Sequence, residues 1–327
     1  MTEATPKSPL PRMSIMLLFA VVLLIGGVVL TLRRPAYREQ QAIAEIDRLG
    51  GMAKSEIIRP RWIPESIGDE NLAVYNRVIL VNLSNTQVSD TGLEHVGGLK
   101  QLRTLQLNNT PVGNAGLEHL QGLANLEDLD LNNTQVSDAG LESLRGLNHL
   151  SELRLGGTQV SGSGLVSLRG LTNLAYLYLD DSQVGDAGLE HLGGVKNLRV
   201  LSLENTQVSD AGLDHLRGLS NLNSLNLNDT RVSDVGLEHL QKLPQLVQLT
   251  LDNTQISDAG LEHVHGFPQL DQLSLNNTQI SDAGLEHLRG LTHFIQISLE
   301  NTHVTQAGID KLKQACPCYI RWTPPSE

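Results

Sequence analysis

The stretch LEDLDLNNTQVSDAGLESLRGL, residues 126–147, holds one copy of the pattern that decides the fold of this 327-residue chain. Leu129 and Leu131 alternate with polar residues, and this period of two predicts a short strand with leucines on one face. Ser137-Asp138 come next, and such residues stop a strand and cap the first free N–H groups of a helix. The stretch therefore predicts one strand followed by one helix.

The predicted helix is short and apolar on one side. It ends at Gly146, and its leucines recur at three-residue steps, at Leu141, Leu144 and Leu147. A strand and a helix of this size cannot bury their leucines alone, but stacked copies can, with strands about 4.8 Å apart. The fold class predicted is α/β, a right-handed solenoid with a parallel sheet on its concave face.

The pattern repeats every 24 residues, in ten units without an insertion or deletion. Its marker is one leucine of each predicted strand, which recurs at Leu83, Leu107, Leu131, Leu155, Leu179, Leu203, Leu227, Leu251, Leu275 and Leu299. Aromatic residues make up only 3% of the chain, so leucine must fill the core.

The motif L-x-x-L-x-L and the turn T-x-V-S-D-A-G-L resemble those of leucine-rich repeat proteins of the 24-residue GALA-like type, over about three quarters of the chain. The whole layout resembles single-span, membrane-anchored bacterial proteins of that class. The resemblance implies a horseshoe that recognises protein partners. Thr110 and its equivalents stand where many such families have a ladder-forming asparagine, so we expect the ladder to differ here.

Residues 13–32, MSIMLLFAVVLLIGGVVLTL, contain no charge. A helix of that length spans about 30 Å, the thickness of the hydrocarbon core of a bilayer. A cleaved signal peptide would have a shorter apolar stretch and a small-residue cleavage site, whereas Arg33-Arg34 follows here. We expect one uncleaved transmembrane helix and, from the resemblance, the bacterial inner membrane. Basic residues flank the stretch on both sides, so the membrane topology stays open.

The predicted layout is an N-terminal tail (1–12), a transmembrane helix (13–32), a linker and N-terminal cap (33–78), ten repeats (79–314), and a C-terminal cap and tail (315–327). Both ends of a solenoid need covering. The apolar residues expected to cover the first repeat are Ala42, Ile43, Ile46, Leu49, Ile57-Ile58 and Trp62-Ile63. Those expected to close the last one are Tyr319, Ile320 and Trp322.

The formal net charge is −12, and it is concentrated in the repeats, where residues 79–327 carry 28 acidic and 14 basic side chains. Such a surface repels phosphate backbones, so we expect no nucleic-acid partner. Cys316 and Cys318 are too few for a disulfide framework, and their spacing is not that of a C-x-x-C redox motif. We expect them to be buried thiols of the C-terminal cap.

A row of histidines shares one phase of the repeat: His95, His119, His191, His215, His239, His263 and His287. Neighbours would lie about 5 Å apart, but serines interrupt the row and no carboxylate pattern accompanies it. Surface coverage is the favoured interpretation, and we expect no metal or cofactor. No G-x-S-x-G, H-E-x-x-H or phosphate-binding glycine motif occurs, so no enzyme is expected either.

The residues that flank the strand leucines would face the concave side, and most of them are small and polar. The third to sixth units differ, because charged and aromatic residues cluster there: Asp128, Asp130, Glu152, Arg154, Tyr176, Tyr178, Asp180, Arg199 and Glu204. Tyrosine and arginine are favoured at the centres of protein interfaces. We predict that these residues, except Glu152, form a protein-binding site. Glu152 belongs to the same cluster.

The function predicted is a membrane-anchored module that binds a membrane-proximal protein through its concave face. A structural or adhesive envelope protein with weak, distributed contacts is the alternative, favoured by the likeness of the units to one another. A substrate-recognition subunit resembling F-box leucine-rich repeat proteins is disfavoured, because no F-box-like module is present. Self-association stays open.

Overall fold

The structure is a computed structural model, and it describes residues 37–291, 294–316 and 318–324. Twelve strands form one sheet in which the spatial order follows the chain order. The first pair is antiparallel and every later pair is parallel. The strands β1–β12 are Met52–Ile57, Asn76–Asn82, Thr104–Gln106, Asp128–Asp130, Glu152–Arg154, Tyr176–Tyr178, Val200–Ser202, Ser224–Asn226, Gln248–Thr250, Gln272–Ser274, Gln296–Ser298 and Tyr319–Arg321. The predicted leucine-rich repeat solenoid with its parallel sheet is confirmed.

Parallel pairing keeps the repeat in register. Leu129 lies beside Leu153 and Leu153 beside Leu177, each step crossing 24 residues. The central residue of each strand from β3 to β11 is buried, while the residues on either side of it lie on the opposite face of the sheet. We call the surface formed by these flanking residues the open face of the sheet.

The helical side of most repeats includes a 3₁₀ segment, which is wound more tightly than a regular α-helix. The α-helices after residue 50 (α2–α8) are Asn114–Glu118, Asp138–Leu141, Asp186–Leu189, Asp210–Leu213, Asp234–Leu240, Asp282–Leu285 and Gln306–Ala315. Segments of 3₁₀-helix in the repeats are Asp90–Leu93, Val96–Gly98, Glu142–Leu144, Gly162–Gly170, Glu190–Gly194, Asp214–Gly218, Gly260–Gly266 and Glu286–Leu288. A 3₁₀-helix has three residues per turn, so leucines at three-residue steps align on one buried face.

A ladder of side chains joins each helix start to the next. The Oδ1 atom of Asp138 accepts a hydrogen bond from the backbone N–H of Ser161 at 2.7 Å, and its Oδ2 atom accepts from the Ser161 hydroxyl at 2.5 Å. The same pair of bonds recurs from Asp186 to Ser209 and through four later pairs. The Ser-Asp dipeptide therefore links neighbouring turns as well as starting a helix.

Asparagines and threonines complete the turn after each strand. Asn109 has a φ of 58°, and its Nδ2 atom donates to Asn85 of the preceding repeat. Asparagine and aspartate tolerate this left-handed conformation better than other non-glycine residues. The buried Thr110 hydroxyl donates to the carbonyl of Leu107 in its own repeat. This is the difference in the ladder that the sequence led us to expect. The threonine side chain bonds within its own turn, and the asparagine side chain bonds to the neighbouring turn.

The glycine of the S-D-A-G-L motif sits where two repeats approach most closely. A Cβ atom on Gly212 would lie 2.5 Å from the Oδ1 atom of Asp186 and 3.0 Å from its Cα atom. Backbone cannot yield as a flexible side-chain end can, so a larger residue at this position would push two turns apart.

The N-terminal cap consists of a helix, a strand and two short turns. Residues 37–48 form helix α1, whose Ala42 and Ile46 are buried against the core. Strand β1 then extends the sheet, an element that the sequence analysis did not predict. Ile63 is buried as expected, but Trp62 is 73% exposed. The turns Asp69–Asn71 and Ala73–Tyr75 lead into β2.

The C-terminal cap packs as β12 and the end of α8. Ile320 and Trp322 lie against the core, and Trp322 donates its ring N–H to the carbonyl of Val304. Cys316 and Cys318 are joined by a disulfide bond. Cys316 is buried as expected, whereas Cys318 is only partly buried against the core, and the bond between them was not predicted.

The predicted transmembrane helix, residues 13–32, lies outside the described residues, as do the N-terminal tail and residues 325–327. Within the described ranges, no helix is both long enough and apolar enough to cross a membrane.

We predict that Gly212→Ala lowers the free energy of unfolding by about 1–3 kcal/mol, because the added methyl group overlaps Asp186. Urea denaturation followed by circular dichroism measures the change. Gly170→Ala is the matched control, since a Cβ atom there meets nothing within 4 Å. Equal midpoints for the two variants would contradict the close approach.

A second prediction concerns acid stability. Burial raises the pKa of Asp138, but hydrogen bonds from Ser161 and Ser163 outweigh it and hold that pKa below the ordinary value. A depressed folded-state pKa adds stability above the unfolded pKa of about 4, and that stability is lost as the pH falls further. Asp138→Asn should therefore cost up to about 1 kcal/mol at pH 7 and flatten the loss of stability below about pH 4.

Thermal melting between about pH 2.5 and pH 7 tests this prediction. Asn114 already occupies the equivalent place in the preceding repeat and accepts from Ser137, so the variant should fold. Glu118→Gln, which removes an exposed carboxylate on the helical side, is the control. Parallel pH profiles for wild type and Asp138→Asn would refute the role of the carboxylate.

Candidate functional site

The open face changes character along the sheet. Strands β4 to β6 present charged and aromatic side chains, whereas strands β7 to β11 present uncharged ones, with Val200 and otherwise serine, threonine, asparagine and glutamine. The residues that differ occupy the strand positions on either side of the buried central leucine. The predicted site residues on β4, β5 and β6 are therefore neighbours on one surface.

Arg154 is the centre of this surface. Its Nη1 atom lies 3.0 Å from the Oδ1 atom of Asp128 on the adjacent strand, and its Nη2 atom forms an ion pair with Glu152. These three side chains are each about one quarter exposed, so the ion pairs are partly shielded from water. Two carboxylates hold one guanidinium, and the conformation of Arg154 is thereby restrained.

The two carboxylates that contact Arg154 have raised pKa values. Burial raises the pKa of Asp128, and Arg154 opposes part of that rise. Burial also raises the pKa of Glu152, where Arg154 again acts in the opposite direction. Both carboxylates therefore depend on Arg154 for compensation of their lost hydration.

The two tyrosines extend the charged group on one side. The register places Tyr178 beside Arg154 and Tyr176 beside Glu152. The guanidinium carbon of Arg154 lies 5.6 Å from the centre of the Tyr178 ring, within the range of a cation–π contact. Burial raises the pKa of the Tyr178 phenol. Tyr176 is more open, with 36% of its surface exposed.

Asp180 and Glu204 lie just beyond the ends of their strands, in the turns. The Oδ1 atom of Asp180 accepts hydrogen bonds from the Ser202 hydroxyl and from the backbone N–H of Glu204. Glu204 in turn accepts from the Nδ2 atom of Asn226. Asp180 therefore joins two repeats, and this structural role limits what it offers to a partner.

Two further residues predicted for the site, Asp130 and Arg199, take no part in the ion pairs of Arg154. Asp130 is beside Arg154 in the register, but its Oδ1 atom accepts from the backbone N–H of Asn132. Arg199 precedes β7, and Val200 holds the strand position equivalent to Tyr176. Arg199 instead lines a shallow depression with Tyr176, Asn221, Asn223 and Gln245. The structure thus groups Asp128, Glu152, Arg154, Tyr176 and Tyr178, and we call these five residues the Arg154 cluster.

A second polar ladder along the end of the sheet was missed in the sequence analysis. Asn132 accepts from the backbone N–H of Gly156, and the same bond across 24 residues is made by Asn228, Asp252 and Asn276. The recurrence of Asn or Asp directly after the second strand leucine was the signal. This ladder gives a structural reason for Asn132, Asn228 and Asn276, each of which begins an N-x-T sequence of the kind that can accept N-glycosylation.

The histidine row lies on the helical side with varied partners. The Nδ1 atom of His239 is 3.7 Å from Asp214, Nε2 of His287 is 3.9 Å from Glu262, and His191 contacts Arg169. Each histidine therefore meets a different neighbour in the preceding repeat or faces water. Across the described part of the chain, no group of three or more His, Cys, Asp or Glu side chains could hold a metal ion.

Comparisons with known proteins identify the family of the chain. It belongs to the leucine-rich repeat proteins, since a family model described as a leucine-rich repeat region matches residues 71–307. Internalin C2 of Listeria monocytogenes is similar in structure, with 28% identity and a TM-score of 0.52 over 64% of this chain and 84% of that one. No curated protein matches the chain.

Two more solved structures are similar to the chain in part. Internalin InlF of Listeria monocytogenes is 21% identical, with a TM-score of 0.45 over 78% of this chain and 91% of its own. The plant peptide hormone receptor RGFR1, in complex with RGF2, is 16% identical, with a TM-score of 0.50 over 80% of this chain and 46% of its own. At these identities the likeness concerns the fold alone.

We predict that Arg154→Gln destabilises the protein at pH 7 by about 1 kcal/mol and by less at about pH 4.5. Removing Arg154 raises the pKa of Asp128 and Glu152 further. A carboxyl whose folded pKa is raised contributes its stability below the unfolded pKa and loses it as the pH rises. Urea midpoints at both pH values measure the difference.

Arg103→Gln is the control, because Arg103 is exposed and lies 4.0 Å from an exposed Glu127. Its effect should be small at either pH. An Arg154→Gln effect that is the same at both pH values would mean that Arg154 does not compensate the two carboxylates.

Proposed function

We propose that this protein is a membrane-anchored recognition module that binds another protein through the Arg154 cluster on the concave, open face of its sheet. The observation that carries the proposal is the break in the repeat, where six charged or aromatic side chains replace uncharged polar ones on three adjacent strands, five of them in the Arg154 cluster. The proposal includes no catalysis, metal or cofactor.

The cluster is suited to recognition because its side chains are held in place before contact. Arg154 is restrained by Asp128, Glu152 and the ring of Tyr178. Little side-chain entropy therefore remains to be lost when a partner binds. Tyr176 offers an exposed aromatic surface beside them, and aromatic residues and arginine are enriched at the energetic centres of interfaces.

The charge of the surface indicates the chemistry of the partner. Around Arg154 the open face carries Asp128, Asp130, Glu152 and, at its margin, Asp180 and Glu204. With Arg199, which lines the depression beside Tyr176, two positive and five negative charges leave the surface acidic. A partner with a basic patch around an apolar or aromatic centre would complement it and associate faster than a neutral one.

The anchor in this proposal is the apolar stretch 13–32, which is long enough to cross a bilayer. Only residues 33–36 separate it from helix α1. The solenoid would therefore lie close to the membrane surface, and we propose a membrane-proximal partner. Single-pass insertion in a bacterial inner membrane rests on the same stretch and on the resemblance of the layout.

A structural or adhesive envelope protein is the second candidate. The uncharged hydroxyl and amide side chains of β8 to β11 favour it, because they offer similar, weak contacts along four repeats. A substrate-recognition subunit similar to F-box leucine-rich repeat proteins has no observation in its favour.

Affinity capture with the full-length chain in mild detergent tests the proposal. The bait is compared with Tyr176→Ala/Tyr178→Ala in membranes of the source cells, and bound proteins are identified by mass spectrometry. We expect a discrete partner that the double variant loses, because the exposed aromatic surface is removed. Gln248→Ala/Thr250→Ala alters the same two strand positions three repeats away and should retain the partner.

Two results would count against the proposal. Loss of the partner from both double variants would indicate contacts spread over the open face, which favours the adhesive candidate. The same diffuse set of proteins on all baits would exclude a specific site in the Arg154 cluster.

A further prediction follows from the charge. Once a partner is known, its association rate should fall as salt rises from about 50 to about 500 mM, since screening weakens long-range attraction. Stopped-flow fluorescence measures the rate. A rate that does not change with salt would mean that the acidic surface does not steer the partner.

A further inference from the structure

The N-terminal cap carries an exposed apolar surface that the Arg154 cluster does not involve. Trp62 is 73% exposed and Ile67 is 39% exposed, and both belong to the loop 60–67, whose neighbouring Ile63 is buried. Exposed aromatic and aliphatic side chains on one short loop make it a candidate for contact with a protein or a membrane. We call residues 60–67 the Trp62 loop.

The Trp62 loop is held in shape by one side chain. Arg59 donates from Nη1 to the carbonyl of Pro64 and from Nη2 to the carbonyl of Ile67, both at 2.9 Å, and it pairs with Asp69 at 2.6 Å. Two tight turns, from Ile63 to Pro60 and from Ile67 to Pro64, add backbone hydrogen bonds. The outward position of Trp62 is thus built into a structured loop.

The loop lies at the same margin of the cap as the start of helix α1. Trp62 packs edge-to-face on Tyr75, with ring centres 6.4 Å apart, and Tyr75 directly precedes β2. Glu39, in the first turn of α1, accepts from the backbone N–H of Val78 on β2 at 2.8 Å and lies 3.6 Å from Arg77. Both segments are therefore fixed to the beginning of the same strand.

The length of chain before α1 indicates what covers this margin. The apolar stretch ends at Leu32, and five peptide steps lead from there to residue 37, which span at most about 18 Å. A solenoid tethered so closely presents its N-terminal cap to the bilayer. Tryptophan favours the interface between lipid headgroups and acyl chains, because its ring is apolar and its N–H is polar.

We propose that the Trp62 loop rests in the lipid headgroup region, with Trp62 and Ile67 inserted in the bilayer surface, so that the solenoid has a fixed orientation relative to the membrane. This inference rests on the anchor in the proposed function. A lipid surface is favoured over a protein partner because the apolar side chains lie beside the tether and on a loop, not on the sheet that displays the Arg154 cluster.

The two tryptophans of the chain, Trp62 and Trp322, allow a direct test. The full-length chain is reconstituted in phosphatidylcholine vesicles with or without brominated acyl chains, and its tryptophan fluorescence is recorded. Trp62→Phe leaves Trp322 next to β12, at the opposite end of the twelve-stranded sheet. Trp322→Phe leaves Trp62 alone.

We expect brominated lipid to reduce the emission of wild type and of Trp322→Phe, with a blue-shifted spectrum for Trp62, and to leave Trp62→Phe unaffected. The difference in tryptophan emission between wild type and Trp62→Phe reports on Trp62 alone, even if Trp322→Phe folds poorly. Extraction of the vesicles at alkaline pH reports separately on the anchor.

The outcomes separate the two proposals. A chain that resists extraction while Trp62 stays open to an aqueous quencher would overturn the contact of the loop with lipid and leave the anchor in place. Such exposure would point to a protein partner at the cap. A chain that does not associate with vesicles at all would overturn both.

Discussion

Each turn of the solenoid packs its leucines against the leucines of the turn 24 residues away, and its backbone N–H groups donate to oxygen atoms of the neighbouring turns. The buried leucines drive stacking through loss of apolar surface from water, and the hydrogen bonds that Ser161 donates to Asp138, with their equivalents, fix its register. An extra residue in any unit would disrupt both the stacking of the leucines and the register of the hydrogen bonds. This constraint explains ten units of equal length, and it explains a glycine such as Gly212, because the carboxylate of the ladder occupies the space of its Cβ atom.

The same constraint decides where function resides. Within a repeat, leucines fill the core, and Ser, Asp, Asn and Thr are committed to the turns. The residues on either side of each central strand leucine are the positions most free to vary on the sheet. A rigid array therefore displays variable side chains about 4.8 Å apart, and a binding surface arises wherever neighbouring strands depart from the common polar set. The Arg154 cluster is such a departure and its members restrain one another, which is why we propose it as the binding surface.

Much of this architecture was predictable because the repeat multiplies every local signal. The alternation around Leu129 predicted the strand, and the three-residue spacing from Leu141 to Leu147 predicted a helical segment, although it did not reveal that 3₁₀ geometry serves that spacing. The bonding of Asp180 to Ser202 and Glu204 was not predictable, since a polar residue looks the same in sequence whether it faces a partner or a backbone N–H. Nor was strand β1, because Met52–Ile57 lacks the repeat signature and is ordered by pairing with β2.

Site-specific photo-crosslinking in source cells tests most directly whether the Arg154 cluster is the recognition surface. A photoreactive phenylalanine analogue replaces Tyr178 on the open face or, as the comparison, Val235, which is 54% exposed on the helical side. We predict one discrete crosslinked protein from position 178 and none from position 235. The same adducts from both positions, or adducts from position 235 alone, would contradict it.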